Sequence, residues 1–413
     1  MKDQNLPPLR RDLEFYPVQL QGKQLILIRD PLGLVQEGKA VEIPLYQFMV
    51  LLDGRKTVRD LQMALMRQRG GMLVSSDEVK KVMDHLDDSF LLDSERFGKA
   101  KAAIVAEYAS KTVRPSSHSG RAYPADSGGL KQMLDKILAV QPDAPKLEGK
   151  FLALVAPHID LSVGAGVYAK AYQALKGSRP KTVFVLGTGH QMAQDVFSVA
   201  DKHFETPLGI VPCDRPRVEK LKNAGGNAVA KDDFVHRAEH SIEFQVLFLQ
   251  HVLPKDSFKI VPILCGNLQT TLPEYSRSAY REKTGPFLEA MKEMLEPPRE
   301  EALLVAGVDL SHIGPKFGHE MPAQVMKGQS EAHDKALLHS LAERDADSFW
   351  KESGRVRDHY NVCGFAALAC LLEVLPPCKG RLLGYEMWHE EPTRSAVSYA
   401  AMVFPEEKKK VTI

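Results

Sequence analysis

FLALVAPHIDLSVGAGVYAKAYQALKGSRPKTVFVLGTGH, residues 151–190, reads as strand, polar turn, helix and second strand, with a histidine leaving each strand. The apolar run 151–156 stops at Pro157, and the run 182–186 stops at Gly187. Between them, residues 163–175 carry Val167, Ala171, Ala174 and Leu175 at helical spacing. A unit of this length joins parallel strands through a right-handed crossover. Ligands of open parallel sheets bind beyond the carboxyl ends of the strands, which is where His158 and His190 fall. Gly164 and Gly166 invite a dinucleotide-binding reading, but its spacing is wrong. A phosphate-binding loop follows its strand at once, whereas here His158 and five further residues intervene, and the second strand ends without an acidic residue for a ribose.

Outward from this stretch the α/β rhythm continues. Strands are expected at 197–200, 209–212, 258–264, 302–308, 382–387 and 397–404, and helices at 215–224, 241–251, 285–295, 328–343, 345–353 and 364–375. The alternation predicts one large α/β domain over residues 120–405, with a mostly parallel central sheet flanked by helices. Residues 1–100 read as a separate small α+β domain of winged-helix type. Its strands are expected at 11–18 and 24–29 and its helices at 45–52, 57–69 and 76–89, the last two opened by Thr57 and by Ser76-Asp77-Glu78. Residues 101–119 read as a linker, and 406–413 as a charged, solvated tail.

A chain of 413 residues that is 44% hydrophobic can bury a large core. Lys and Arg number 54 against 53 Asp and Glu, so the net charge of +1 sets up no field for phosphate backbones, and nucleic acid is not an expected partner. No apolar run approaches the roughly 20 residues of a membrane helix, and the N-terminal stretch lacks a signal-peptide core, so the expected location is the cytoplasm. The five cysteines, at 213, 265, 363, 370 and 378, show no close pairing pattern and suit reduced thiols. Nothing in the sequence specifies an oligomer.

Five motifs carry candidate chemistry. In Ala156-Pro157-His158-Ile159-Asp160, a histidine leaves a buried strand and Asp160 is placed to orient it. In Leu186-Gly187-Thr188-Gly189-His190, two glycines allow a tight turn that aims His190 at the same crevice. The run His236-Arg237-Ala238-Glu239-His240-Ser241-Ile242-Glu243 contains the inverted zinc-protease pattern H-x-x-E-H, with His236 and His240 as ligands and Glu239 as base. Ser241 also suits a helix N-cap, which would separate those histidines and leave His240 and Glu243 lining the crevice wall. Val308-Asp309-Leu310-Ser311-His312 delivers a carboxylate and a histidine at another strand exit, a base with its orienter or an additional ligand. In Asn361-Val362-Cys363-Gly364, a thiol stands at a helix start, where the dipole favours its thiolate, while Cys370 reads as core. Any one of these is an ordinary loop residue on its own. Together they put histidines at strand exits and a cysteine at a helix start, a pattern that calls for one shared site.

These residues resemble the Memo family, and most closely its bacterial members called AmmeMemoRadiSam system protein B. The carrying motifs are APHID, G-V-Y-A-K-A-Y, LGTGH, EHSIEFQ, the Asp309 to His312 pair and Cys363-Gly364, together with Arg121-Ala-Tyr-Pro-Ala-Asp126, over roughly residues 114–405. The resemblance implies a fold related to class III extradiol dioxygenases. It implies metal ligands at His158, His190 and Cys363, with Asp309, His312, His240 and Glu243 as neighbouring catalytic residues. It further implies a redox metal, iron or copper with zinc as the alternative, and a small-molecule ligand in the pocket. The enzymatic expectation is thus a metal-dependent, dioxygenase-like oxidoreductase. A cysteine in place of a third carboxylate softens the site away from the plain facial triad. Leu51-Leu-Asp-Gly54 and Phe90-Leu-Leu-Asp93 resemble PqqD-like domains, which implies a peptide or a radical SAM protein as partner of the first domain. Two other readings stay open: a non-catalytic peptide- or partner-binding module, and a zinc-dependent hydrolase using His236, Glu239 and His240.

Overall fold

The computed structural model describes residues 4–20, 22–68, 70–141, 150–295 and 302–406. It divides into two compact units, Met1–Ser110 and Lys111–Ile413, so the division falls inside the stretch expected as a linker. The tail expected at 406–413 lies, beyond Glu406, outside the described residues.

In the first unit, strands Glu14–Leu20, Lys23–Arg29 and Ala40–Glu42 form an antiparallel sheet in that order. Helices Ile43–Val50, Val58–Gln68, Ser76–Asp88 and Glu95–Ser110 follow. The third helix starts at Ser76, as its sequence suggested, but its cap is the preceding Ser75, which closes a reciprocal capping box with Glu78. Its core gathers Ile28, Phe48, Met49, Leu61, Val79 and Leu86, with Leu91 and Leu92 of the FLLD stretch. Arg10 is buried in it, paired with Asp30 at 2.6 Å and donating to the Phe90 carbonyl at 2.8 Å. Asp30 in turn accepts the backbone N–H groups of Leu32, Leu34 and Val35.

The second unit is built on an eight-stranded sheet. Its centre is four parallel strands, in spatial order Phe151–Ala156, Ala302–Gly307, Thr182–Thr188 and Lys259–Cys265. Over 153–156, 183–186 and 303–306, side chains alternate between two cores. Ala153, Val155, Phe184, Leu186, Leu304 and Ala306 pack one face, and Leu154, Ala156, Val183, Val185, Leu303 and Val305 the other. Burial on both faces explains why these strands read as continuous apolar runs instead of alternating ones. Helices Ala165–Gln173 and Ser241–Val252 cover the second face, and Arg277–Leu295 and Phe365–Val374 the first.

Two expectations need correction. The sheet is mixed: Phe197–Val199, Ser395–Pro405, Asp309–Ile313 and Arg381–Glu390 all add antiparallel at its sides. The cause is short connections. Arg381–Glu390 and Ser395–Pro405 form a hairpin across a four-residue turn, and Asp309–Ile313 follows Ala302–Gly307 after Val308 alone, leaving no room for a crossover helix. The strand expected at 209–212 belongs instead to a separate small sheet, in the order Val113–Arg114, His203–Thr206, Gly209–Val211.

Because the four central strands run the same way, their exits share one edge. Helix Phe365–Val374 starts against that edge, with the Gly364 N–H donating to the Asp309 carbonyl at 3.1 Å. A Cβ at Gly364 would lie 2.5 Å from Val308 Cβ and 2.7 Å from the Asp309 carbonyl oxygen. We therefore expect Gly364→Ala to lower stability by about 1–3 kcal/mol, the usual cost of overpacking, in a denaturant titration. An unchanged midpoint would show that the helix start is not wedged there.

Candidate metal centre

His158 is almost fully buried, and its position is set by Asp309. The Oδ1 of Asp309 accepts the backbone N–H groups of His158 at 2.9 Å and Ile159 at 3.2 Å. Asp160, expected in that orienting role, is used up in its own turn, accepting from Ser162 and Val163. The His158 ring donates Nδ1–H to the Gly307 carbonyl at 2.9 Å, since a carbonyl can only accept. Its Nε2 therefore faces the site, 3.4 Å from Cys363 Sγ and 3.6 Å from Asp309 Oδ2. His190 has Nδ1 3.0 Å from both carboxylate oxygens of Glu239. Cys363 is held at the same edge, its carbonyl accepting from Thr188 Oγ1 at 3.3 Å and its Sγ 3.6 Å from the Asp309 carbonyl.

Ligand-type atoms of His158, His190 and Cys363 all lie within 4.8 Å of one another, and those of His190, Glu239 and His240 do likewise. The rings of His158, His190 and His240 sit 5.0, 5.1 and 5.2 Å apart between centroids. Charge reinforces the first group. Burial opposes protonation of His158, but Asp309 and Cys363 outweigh it and push its pKa up to about 9. Burial likewise opposes ionisation of Cys363, yet His158 and His312 hold the thiol well below its ordinary value. The negative charge of Asp309, Glu239 and an ionising thiol, which draws protons onto His158 and His190, would equally be met by a cation that displaces those protons.

Helix Ser241–Val252 locks the strand exits from below. Ser241 Oγ donates to the Thr188 carbonyl at 3.0 Å and Gln245 Nε2 to the Pro157 carbonyl at 2.9 Å. Beside the centre lies a cavity of about 510 Å³, lined among others by His190, Cys363, His312, Asn267, Asp358 and Tyr275. His312 reaches it with Nδ1 engaged by the Leu310 carbonyl at 3.0 Å, which leaves Nε2 as the ring's acceptor.

The structure separates the rest of the expected set. His236 lies in a short 3-10 turn, Phe234–Ala238, buried, with Nε2 on the Ser198 carbonyl at 3.1 Å. Burial drives its pKa down to about 3, so the ring is neutral. Glu239 is extended and a new helix starts at Ser241, so His236 and His240 share no helical face and the inverted zinc-protease site does not form. Glu243, expected on the crevice wall, is fully buried and saturated. Its oxygens accept from Arg114, both the N–H and the hydroxyl of Ser117, the His118 N–H and the Tyr123 hydroxyl. Arg114 also donates to the carbonyls of His236 at 2.6 Å and Glu239 at 2.7 Å. Sequence reading passed over Arg114 as linker. The available signal was Glu243 itself, a carboxylate on an apolar helix that requires a buried cation. Cys370 is core, as read, with Sγ 3.9 Å from Met291 Sδ.

Comparison with known proteins adds four findings. The family model for Memo-like protein matches residues 114–403. A MEMO1 family protein of Aquifex aeolicus (strain VF5) is 30% identical over 400 residues, covering 96% of this chain and 100% of its own length. A MEMO1 family protein of Thermus thermophilus is 26% identical over 355 residues, covering 85% of this chain and 100% of its own. A solved structure, the uncharacterized protein JW3007 from Escherichia coli K12, overlaps loosely at 14% identity over 61% of this chain and 98% of its own, with a TM-score of 0.37 too low to bear on the fold.

The Arg114–Glu243 pair generates an expectation. Burial opposes ionisation of Glu243, but the adjacent guanidinium and the hydrogen bonds from His118 and Tyr123 hold its carboxyl well below the usual range. A depressed folded-state value contributes stability that is present above the unfolded carboxyl value of about 4.3 and is lost as pH falls toward the folded one. Glu243→Gln strands a buried guanidinium and should cost about 3–5 kcal/mol at neutral pH, with a shallower loss of stability on acidification than wild type. Glu293→Gln, at an exposed pair with Lys220, should change stability by less than about 0.5 kcal/mol. Equal effects of the two substitutions in urea titrations would contradict this account.

Proposed function

This chain belongs to the Memo-like protein family, and from that premise we propose that it is a metal-dependent oxidoreductase holding iron or copper at His158, His190 and Cys363. The observation that carries the reading is the convergence of two imidazoles and one thiol within 4.8 Å beside a cavity large enough for a small molecule. The donor set fits such an ion: imidazole suits iron, copper and zinc alike, and the thiolate shifts preference toward the softer metals. When bound, iron or copper supplies one-electron chemistry to a ligand in the cavity, and zinc would supply only Lewis acidity.

The chain's own residues divide the remaining work. Gly307 fixes the proton of His158 on Nδ1, so Nε2 is the nitrogen offered to the site. Asp309 is an anchor more than a base, because its Oδ1 holds the turn that carries His158. His312 is the proton acceptor of the cavity, its Nε2 available because Nδ1 is committed. Phe317, edge-on to that ring at 4.9 Å, limits its rotation.

The test is elemental analysis of protein purified without oxygen and without an affinity tag. Wild type should carry about one equivalent of a redox metal per chain, and the double variant His158→Ala/His190→Ala almost none. Full metal content in that variant, with its fold intact by circular dichroism, would sink the proposal.

A further inference from the structure

The group formed by His190, Glu239 and His240 has a role in the function proposed above only through His190. Its centre is Glu239, a carboxylate almost entirely buried at the turn before helix Ser241–Val252. Five donors already address it. His190 approaches with its backbone N–H at 3.2 Å and with Nδ1 at 3.0 Å. His240 approaches with its backbone N–H at 2.9 Å and Nδ1 at 3.2 Å, and Ser241 with its backbone N–H at 3.0 Å. A carboxylate offers about four lone-pair directions, so none is left for an ion. The carboxylate can only accept, and each ring that leans on it through Nδ1 must keep its proton there and offer Nε2.

We propose that Glu239 is a positioning residue serving two histidines at once, and that His190, Glu239 and His240 form an orienting group and not a second metal site. This rests on the metal reading for its purpose but not for its geometry. One carboxylate holds the His190 and His240 rings nearly parallel, 15° apart with centroids 5.0 Å from each other. His190 is thereby set to present Nε2 to the Cys363 side, and His240, with about a third of its side chain exposed, keeps Nε2 as an acceptor with its ring centroid 5.2 Å from that of His158. The backbone that carries this side chain is itself held from behind, because the Glu239 carbonyl accepts from the buried Arg114.

The experiment uses the full chain, first metal-free and then titrated with zinc ion as a diamagnetic probe. In wild type, nitrogen-15 NMR should show downfield, slowly exchanging Nδ1–H protons on both His190 and His240. Glu239→Gln, with one acceptor oxygen in place of two, should release at least one of them to solvent exchange and weaken zinc binding tenfold to a hundredfold. Freely exchanging Nδ1–H protons in wild type would overturn the proposal, a result that stands whether or not the variant folds. So would unchanged zinc affinity in folded Glu239→Gln, or a second zinc equivalent that survives Cys363→Ser. If both protons are protected in wild type yet no zinc binds at His158, His190 and Cys363, the metal reading fails and the positioning role stands.

Discussion

The backbone hydrogen bond from Gly364 to the Asp309 carbonyl joins two parts of the chain that have no local reason to meet. On one side is the exit of a central strand, and on the other the first turn of a buried helix. The contact is close enough that a Cβ would collide with Val308 and with Asp309. Everything at the candidate centre depends on it. Cys363 is the residue before that glycine, and only through this docking does its sulfur come within 3.4 Å of His158 Nε2. Asp309 then serves twice, its carbonyl receiving the helix and its carboxylate the turn that bears His158. A single strand exit thus sets the position of two of the three proposed ligands.

The third ligand depends on a second long-range contact, the buried pair of Arg114 and Glu243. Two charges removed from water are costly unless every donor and acceptor is met. Here they are met. Arg114 spends its N–H groups on Glu243, on Ser117 and on the carbonyls of Pro115, His236 and Glu239, while Glu243 gathers its remaining donors from the 117–123 segment. The pair staples residues 113–123 to the loop carrying Glu239, and Glu239 holds His190. A residue that sequence reading counted as crevice wall is thus a structural clamp one layer behind it. The same clamp explains why the H-x-x-E-H spelling misleads, since the Arg114 contacts to the carbonyls of His236 and Glu239 hold that segment in a turn instead of a continuous helix.

Much of the fold was legible because its signals are local. Runs such as 151–156, 183–186 and 303–306 are apolar at every position, the mark of strands covered on both faces, and Pro157 placed the end of the first, whereas the second continues through Gly187 to Thr188. A histidine two residues past such an end must lie at the sheet edge whatever the rest of the chain does. The helix start at Gly364, and with it the placing of Cys363 at a helix N-terminus, follows from the same kind of evidence. The mixed character of the sheet was less legible. Whether a strand adds parallel or antiparallel is decided by the length of its connection and by which edge is still open, and the strands from Asp309 onward carry no mark of either.

The sequence by itself determined most of the elements, the family and the three residues proposed as ligands, because periodicity, strand punctuation and motif order are properties of short stretches. Only the tertiary structure decided which polar groups are partners. His158 meets Cys363 across 205 positions, Asp309 meets His158 across 151, and Arg114 meets Glu243 across 129. No local rule spans such separations. Whether a carboxylate becomes a ligand, an orienter or half of a buried ion pair is settled by which donors reach it first, as Asp160, Glu239 and Glu243 each show. That is a matter of packing, and the chain discloses it only when folded.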